Sequence, residues 1–248
     1  MRAGGRTLLG PILAGGLAAL AVAPGSRVWA HGARQEQERP AAAGPLFERS
    51  DRFDFEPPRP GTYRLPAIRP APDGAVVDAA GARRRLRDVM EGKIGLVSFI
   101  YTGCTDGLGC PLATAVLHGI ARAGAQDRDL AKHLRLISLS FDGGRDTPAV
   151  MARYGRRLGA RGGKGPAVQW AFLTTASARD LAPILEGYGQ VVVRPPEGEA
   201  GDLSHLLRVY LVDRRGTIRN IYGLDLLDPR LLIADVHTLL LEERGVTP

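Results

Sequence analysis

The sequence predicts an α/β fold in which a mixed central β-sheet is flanked by helices, with an N-terminal β-hairpin. Three observations lead there. The runs IGLVSFIY (94–101) and LRLISLSF (134–141) are almost continuously apolar and rich in β-branched and aromatic residues, as strands covered on both faces must be. Helix-period segments alternate with them, which is the pattern of parallel strands joined by crossovers. The domain then closes on two strands separated by a tight turn.

Taken in order, LPAIRPAPDGAVVDAAG (65–81) reads as the N-terminal hairpin turning at Asp73-Gly74, and ARRRLRDVM (82–90) as a short helix. The strand at 94–101 leads through a glycine-rich loop into PLATAVLHGIARAGAQ, a helix with Pro111 at its first position. After the strand at 134–141, Asp146-Thr147-Pro148 sets a capping residue ahead of proline and opens a helix running to about residue 158. A Gly-rich loop, a strand at 170–173 and a helix at 177–188 follow. LLRVYLVDRRGTIRNIYG gives two strands turning at 214–216, and DPRLLIADVHTLLLEE gives the last helix. The ordered domain is expected over residues 63–244, with no internal repeat.

The N-terminus reads differently. MRAGGR is a basic start, LLGPILAGGLAALAVA an apolar run, and PGSRVWA ends in a small residue at Ala30, with Val28 at the other recognition position. This is the pattern of a signal peptide over residues 1–30, cleaved after Ala30. The alternative is an uncleaved anchor, although Pro11 and three glycines interrupt the run. No cysteine follows the run, so it does not read as a lipoprotein anchor. Residues 31–62, rich in Ala, Pro, Glu, Gln and Arg without sustained period, read as a flexible tether.

Composition narrows the function classes. With 248 residues and 44% hydrophobic residues the chain builds a core without staples. Its formal net charge of +7 comes from scattered arginines without interleaved aromatics, three of them in the leader. A solvated basic face is expected, and an exported protein is not expected to bind nucleic acid. Export also places the chain where disulfides persist, yet two cysteines are too few for a structural framework.

Those cysteines, Cys104 and Cys110, fall within GCTDGLGCPLAT, between a buried strand and a helix start. Cys110 lies at or beside the helix N-cap, where unpaired N–H groups and the macrodipole favour a thiolate. Thiolates attack disulfides and bind soft metals, so three readings stand at this point: a metal site, an exchange pair and an inert disulfide. Of the five histidines, His118, His133 and His237 are explained by packing or surface positions, and His31 falls on the tether. His205 is different. It precedes an apolar strand whose entry loop can face the cysteine loop across the sheet edge. Two thiolates and an imidazole form a soft set suited to copper, or to zinc with an open position.

The residues also resemble the Sco/SenC family of thioredoxin-fold copper proteins that assist cytochrome c oxidase assembly. The resemblance covers 63–244 and rests on VSFIYTGC…CPLAT, on LRLISLSFDGGRDTPAVMARYGRRLG, and on His205 ahead of the Tyr-Leu-Val-Asp strand. It implies a thioredoxin-like fold, copper as the bound metal, and Cys104, Cys110 and His205 as its ligands. Asp142 and Asp146 would lie nearby in supporting roles. In one place the chain departs from the pattern: five residues separate its cysteines where the family has three. The extra residues are placed within 106–109, where glycines with positive φ would let the loop fold back.

The implied function is an exported metallochaperone rather than an enzyme, periplasmic or otherwise extracytoplasmic. It would pass copper to a client cuproprotein such as a cytochrome c oxidase subunit, near the membrane if its N-terminus stays uncleaved. The alternative is a thiol–disulfide oxidoreductase in which Cys104 attacks and Cys110 resolves. Against it, SHLLRVY (204–210) lacks the proline that thioredoxin-like reductases place opposite their cysteines.

Overall fold

The computed structural model describes residues 52–159, 168–194 and 203–246. The signal-peptide reading, His31 and the Gly-rich loop expected after residue 159 lie outside them. The elements are, in chain order, β1 (Arg69–Pro70), β2 (Ala75–Asp78), β3 (Arg83–Arg85), α1 (Leu86–Met90), β4 (Ile94–Ile100), α2 (Cys110–Ala123), α3 (Arg128–His133) and β5 (Leu134–Ser140). Then come α4 (Pro148–Arg157), β6 (Gln169–Thr174), α5 (Ala178–Tyr188), β7 (Val192–Val193), β8 (Ser204–His205), β9 (Val209–Val212), β10 (Thr217–Tyr222) and α6 (Pro229–Glu243).

Eight strands form one sheet in the order β1-β10-β9-β4-β5-β6-β2-β3. The centre is parallel, with Ile94 opposite Leu134 and Ile137 opposite Ala171, while β9 joins β4 antiparallel with Leu96 opposite Leu211. Alternation along each strand feeds two cores. Val97, Phe99, Ile137 and Leu139 face α1, α4 and α5, together with Met151, Ile184 and Tyr210. Ile94, Leu96, Leu134 and Leu136 face α2 and α6, packing Leu117, Ile120 and Leu239. The helices start where the sequence signals them: Thr147, Ser177 and Asp228 each accept a backbone N–H from the first turn, ahead of proline in α4 and α6.

The N-terminal hairpin is present but displaced. The chain does not double back at Asp73-Gly74: β1 pairs with β10 at one edge of the sheet, and β2 pairs with β6 near the other. The hairpin is β2–β3, turning through 79–82, so Arg83–Arg85 is strand rather than helix. Asp73 instead collects contacts from its neighbour Gly74 and from the chain at the end of β3 and the start of α1. Its Oδ1 accepts from the N–H groups of Gly74 and Arg87, and its Oδ2 from the Arg85 guanidinium. Gly74 is glycine for proximity, since a Cβ there would lie 2.4 Å from Ile184 of α5.

Within the stretch read as tether, residues 52–62 meet α6. Phe53 is buried, the Gly61 N–H donates to Thr238 Oγ1 at 3.2 Å, and Arg230 Nη1 lies 3.3 Å from Glu56 Oε2. Asp235, 1% exposed on α6, accepts from Tyr63 Oη at 2.5 Å, Tyr222 Oη at 2.6 Å and Asn220 Nδ2 at 2.7 Å. This buried hub ties residue 63 to β10 and α6. Among the described residues no helix is long and apolar enough to cross a membrane.

Candidate metal centre

Parallel strands β4 and β5 deliver their C-terminal ends to one edge of the sheet, where open α/β sheets form their sites. From β4 the chain enters 101–109 and starts α2 at Cys110; from β5 it passes Phe141 and Asp142 into α4. Asp146 joins the two exits. It is 2% exposed, and its carboxyl accepts from the Thr102 N–H at 2.9 Å, from the Thr102 hydroxyl and from the Ser140 hydroxyl at 2.6 Å. The helix cap is therefore Thr147 alone, and Asp146 fixes the root of the cysteine loop.

The loop closes on its own aspartate. Asp106 O accepts from the Gly109 N–H at 3.0 Å and Asp106 Oδ1 from the Leu108 N–H at 3.0 Å. No glycine of the loop adopts positive φ; Gly109, the N-cap, has φ −95° and ψ −127°. The expected left-handed turn is thus replaced by an aspartate-centred one, which takes up the additional residues before the helix.

Cys110 is the first residue of α2 and is 1% exposed, while Cys104 is half-buried and the more accessible of the two. Both are free thiols. Burial pushes the Cys110 thiol up to about 12; a backbone contact with Tyr101 works in the opposite direction, and the neighbouring Cys104 thiol adds to the rise. The helix N-terminus expected to favour a thiolate is outweighed by desolvation.

His205 reaches the same point from the opposite side. Among the described residues its strand, β8, pairs with β7 alone in a two-stranded ribbon apart from the main sheet, with Val192 opposite His205. The imidazole Nε2 lies 3.3 Å from Cys110 Sγ, and Nδ1 lies 3.2 Å from Leu206 O. A carbonyl only accepts, so Nδ1 carries the proton and Nε2 offers its lone pair toward the thiol. Burial pushes the His205 pKa down, against the Leu206 carbonyl and the charge of Asp106, which favours the neutral ring. Phe141 packs against that ring at 4.7 Å between centroids, with Tyr101 edge-on at 6.5 Å.

The fold therefore brings Cys110 and His205 into direct contact, with the Cys104 thiol beside them and leaning toward Asp106 O at 4.0 Å. Among the described residues, no three His, Cys, Asp or Glu side chains are gathered as a closed metal-binding group. Asp142 and Asp146 lie behind the loops, in hydrogen bonds and ion pairs of their own. His118 sits mid-helix on α2, His133 ends α3, and His237 meets the α3 cap at Asp127 Oδ2, 2.8 Å away. An open groove of about 800 Å³ runs past Cys104 and His205, lined by Tyr101, Leu108, Leu206 and Leu224.

Two contributors carry no signal in the sequence. Tyr154 on α4 hydrogen-bonds Thr114 at 3.0 Å, next to the thiols, and burial pushes its pKa up. Arg194, at the end of β7, reaches Asp142 Oδ1 at 3.5 Å and donates from Nη2 to Phe141 O at 3.3 Å.

The family model described as SCO1/SenC matches residues 75–241. No curated protein sequence matches the chain. Among solved structures, Bradyrhizobium japonicum ScoI with copper bound is similar over 66% of this chain and 97% of its own, at 22% identity and a TM-score of 0.53. Arabidopsis thaliana ScoI with copper bound aligns over 68% of this chain and 97% of its own, at 19% identity and a TM-score of 0.56. BsSco, described as a Sco-family cytochrome c oxidase assembly protein with a disulfide switch, aligns over 71% and 98%, at 21% identity and a TM-score of 0.54. At such identities the likeness carries the fold, a thioredoxin-like one.

Proposed function

The chain belongs to the SCO1/SenC family, and from that premise we propose that it is an exported copper-binding accessory protein that supplies copper to a client such as a cytochrome c oxidase subunit. Its ligands are Cys104, Cys110 and His205. The observation that carries this reading is the 3.3 Å contact between Cys110 Sγ and His205 Nε2, made by a ring whose other nitrogen is held by Leu206 O. A carbonyl on Nδ1 is the arrangement that orients a metal-binding imidazole. Two sulfurs and one nitrogen suit copper through ligand softness. The two copper-bound ScoI relatives and the assembly role named for BsSco support the assignment of cargo and client.

Copper is the cargo, and the chain's own groups govern its entry and exit. Loading displaces the Cys110 proton, which burial otherwise retains, so uptake strengthens as pH rises. Cys104, on the accessible side, exchanges with a client donor first; Cys110 and His205 keep hold until the client ligand is in place. The groove beside Cys104 admits the client's donor without opening the core. The apolar leader supports a location outside the cytoplasm, in the periplasm or on the outer face of the inner membrane.

A second reading, thiol–disulfide exchange on client cysteines, is favoured by the neighbouring free thiols and by the switch described for BsSco. Anaerobic copper titration of the reduced protein separates the two. Stoichiometric binding by the wild type, weakened in His205→Ala and Cys104→Ala, is expected. No binding by the wild type would sink the copper reading, and exchange activity unaffected by His205→Ala would favour the second.

A further inference from the structure

His205 is the candidate ligand least constrained by the main sheet. Cys104 and Cys110 follow a central strand, whereas β8 is two residues long and belongs to a ribbon outside the eight-stranded ladder. Its position over Cys110 must come from how that ribbon is attached. At the entry to β7 the attachment is to α5 and β9: the Gln190 N–H donates to Leu185 O, Gln190 Nε2 to Tyr210 Oη, and Arg208 Nη1 to Gly189 O. These contacts hold the base of the ribbon, Leu203 and Val192 pack it on the core, and its polar tie to the β5–α4 turn is made by another group.

Arg194 supplies that second attachment. It directly follows β7, and its guanidinium spans two acceptors on the opposite loop, the Phe141 carbonyl at 3.3 Å and Asp142 Oδ1 at 3.5 Å. The acceptors are rigid. Asp142 is 6% exposed, its N–H donates to Ser140 Oγ at 3.0 Å, and its carbonyl receives the N–H groups of Arg145 and Asp146. Phe141 is buried and presses its ring on His205. The carbonyl that Arg194 grips and the ring that supports the imidazole thus belong to one residue. Arg145 approaches Asp142 only to 3.9 Å, from the same turn, and cannot tie the ribbon down.

We propose that Arg194 is the positioning residue for His205: its guanidinium clasps the β7–β8 ribbon to Phe141 O and Asp142, and so keeps the imidazole in the donor set. The Arg194 side chain is largely exposed, so as an ion pair the contact would contribute little to global stability. Its contribution is geometric. A planar fork bridges a carbonyl and a carboxylate, which a lysine does only in part. With the clasp broken, both thiols remain where β4 and α2 put them, while His205 is released on its ribbon. The inference rests on His205 as third ligand, but the clasp itself can be tested without metal.

In the reduced, metal-free protein, NMR should detect contacts between the His205 and Phe141 rings. They should fade in Arg194→Ala and in Asp142→Asn, and be retained only in part in Arg194→Lys, with unfolding midpoints close to wild type. With copper(II) added under chelator competition, Arg194→Ala should bind about 10-fold more weakly, the size of effect that follows loss of a group orienting a metal ligand. Its paramagnetic resonance spectrum should lose nitrogen coupling as His205→Ala does, while copper(I) binding by the thiols changes little. Ring contacts in Arg194→Ala and Asp142→Asn matching the wild type would overturn the clasp. A wild type that binds no copper would overturn the ligand assignment instead, and the ring contacts would still decide on Arg194.

Discussion

Asp146→Ala should be the most damaging single change near the site that touches neither thiol nor imidazole. The carboxyl accepts from the Thr102 N–H at 2.9 Å, from the Thr102 hydroxyl, and from the Ser140 hydroxyl at 2.6 Å, in a place 2% exposed. Removing it strands one backbone donor that has no freedom to turn and two hydroxyls that can partly re-aim. A buried donor left unpaired costs about 1–3 kcal/mol. Taking the upper half for the N–H and the lower end for each hydroxyl gives a loss of about 4–5 kcal/mol. Asp146→Asn keeps one acceptor and should lose about half as much. With a urea dependence of about 2 kcal/mol per molar, the midpoint of Asp146→Ala should fall by roughly 2 M. Thr102 stands two residues before Cys104, so alkylation of Cys110 in the folded protein should also accelerate. A midpoint within about 0.5 M of wild type, with unchanged alkylation, would refute the claim that Asp146 fixes the loop.

Further outcomes follow from other named contacts. In Gly155→Ala a Cβ would meet the Phe172 ring at 2.7 Å, so calorimetry should register a loss of about 1–3 kcal/mol from overpacking. Asp235→Asn must turn its amide donor either toward the Tyr63 hydroxyl or toward the Tyr222 hydroxyl and the Asn220 amide; urea unfolding should reveal a cost of about 2–3 kcal/mol. Iodoacetamide with mass spectrometry should label Cys104 well before Cys110 in the reduced protein, because burial both hides the Cys110 thiol and pushes it up to about 12. For Asp73, burial pushes the pKa up, but the Arg87 N–H, the Arg85 guanidinium and the Gly74 N–H outweigh it and hold the group below the ordinary carboxylate range. A folded pKa below the unfolded one means a stabilisation present above about pH 4 and lost as pH falls through the folded value. The stability gap between wild type and Asp73→Asn should therefore narrow on acidification below pH 4, and a constant gap would contradict the assignment.

The reach of the sequence followed the range of the forces involved. Strands β4 and β5 were legible because a strand covered on both faces needs an apolar residue at nearly every position. Helices α4 and α6 were legible from a capping residue set beside a proline. The Asp73-Gly74 dipeptide misled for a specific reason: its turn chemistry serves Arg85 and Arg87, and its glycine makes room for Ile184, so neither residue reverses a hairpin. Helix α3 and the β7–β8 ribbon carried no local signal, since the first is one short capped turn and the second has two residues per strand.

The same contrast runs through the site. The sequence brought forward the groups with donor chemistry, Cys104, Cys110 and His205, and through the family pattern Asp142 and Asp146. It could not anticipate Arg194, because an arginine acquires a role only through what lies opposite, and Phe141 O with Asp142 becomes opposite only after the ribbon folds back. Nor could it weigh the helix N-terminus against burial at Cys110: the dipole belongs to the position, but the desolvation belongs to the packing around it. That outcome has a functional consequence. Under the proposed function, a Cys110 that keeps its proton until a metal displaces it would stay unreactive toward stray oxidants, while the accessible face of Cys104 would meet the client. The wide spacing between the cysteines fits this division, because the turn centred on Asp106 takes up the extra chain on the solvent side and leaves Cys110 at the helix start, against His205.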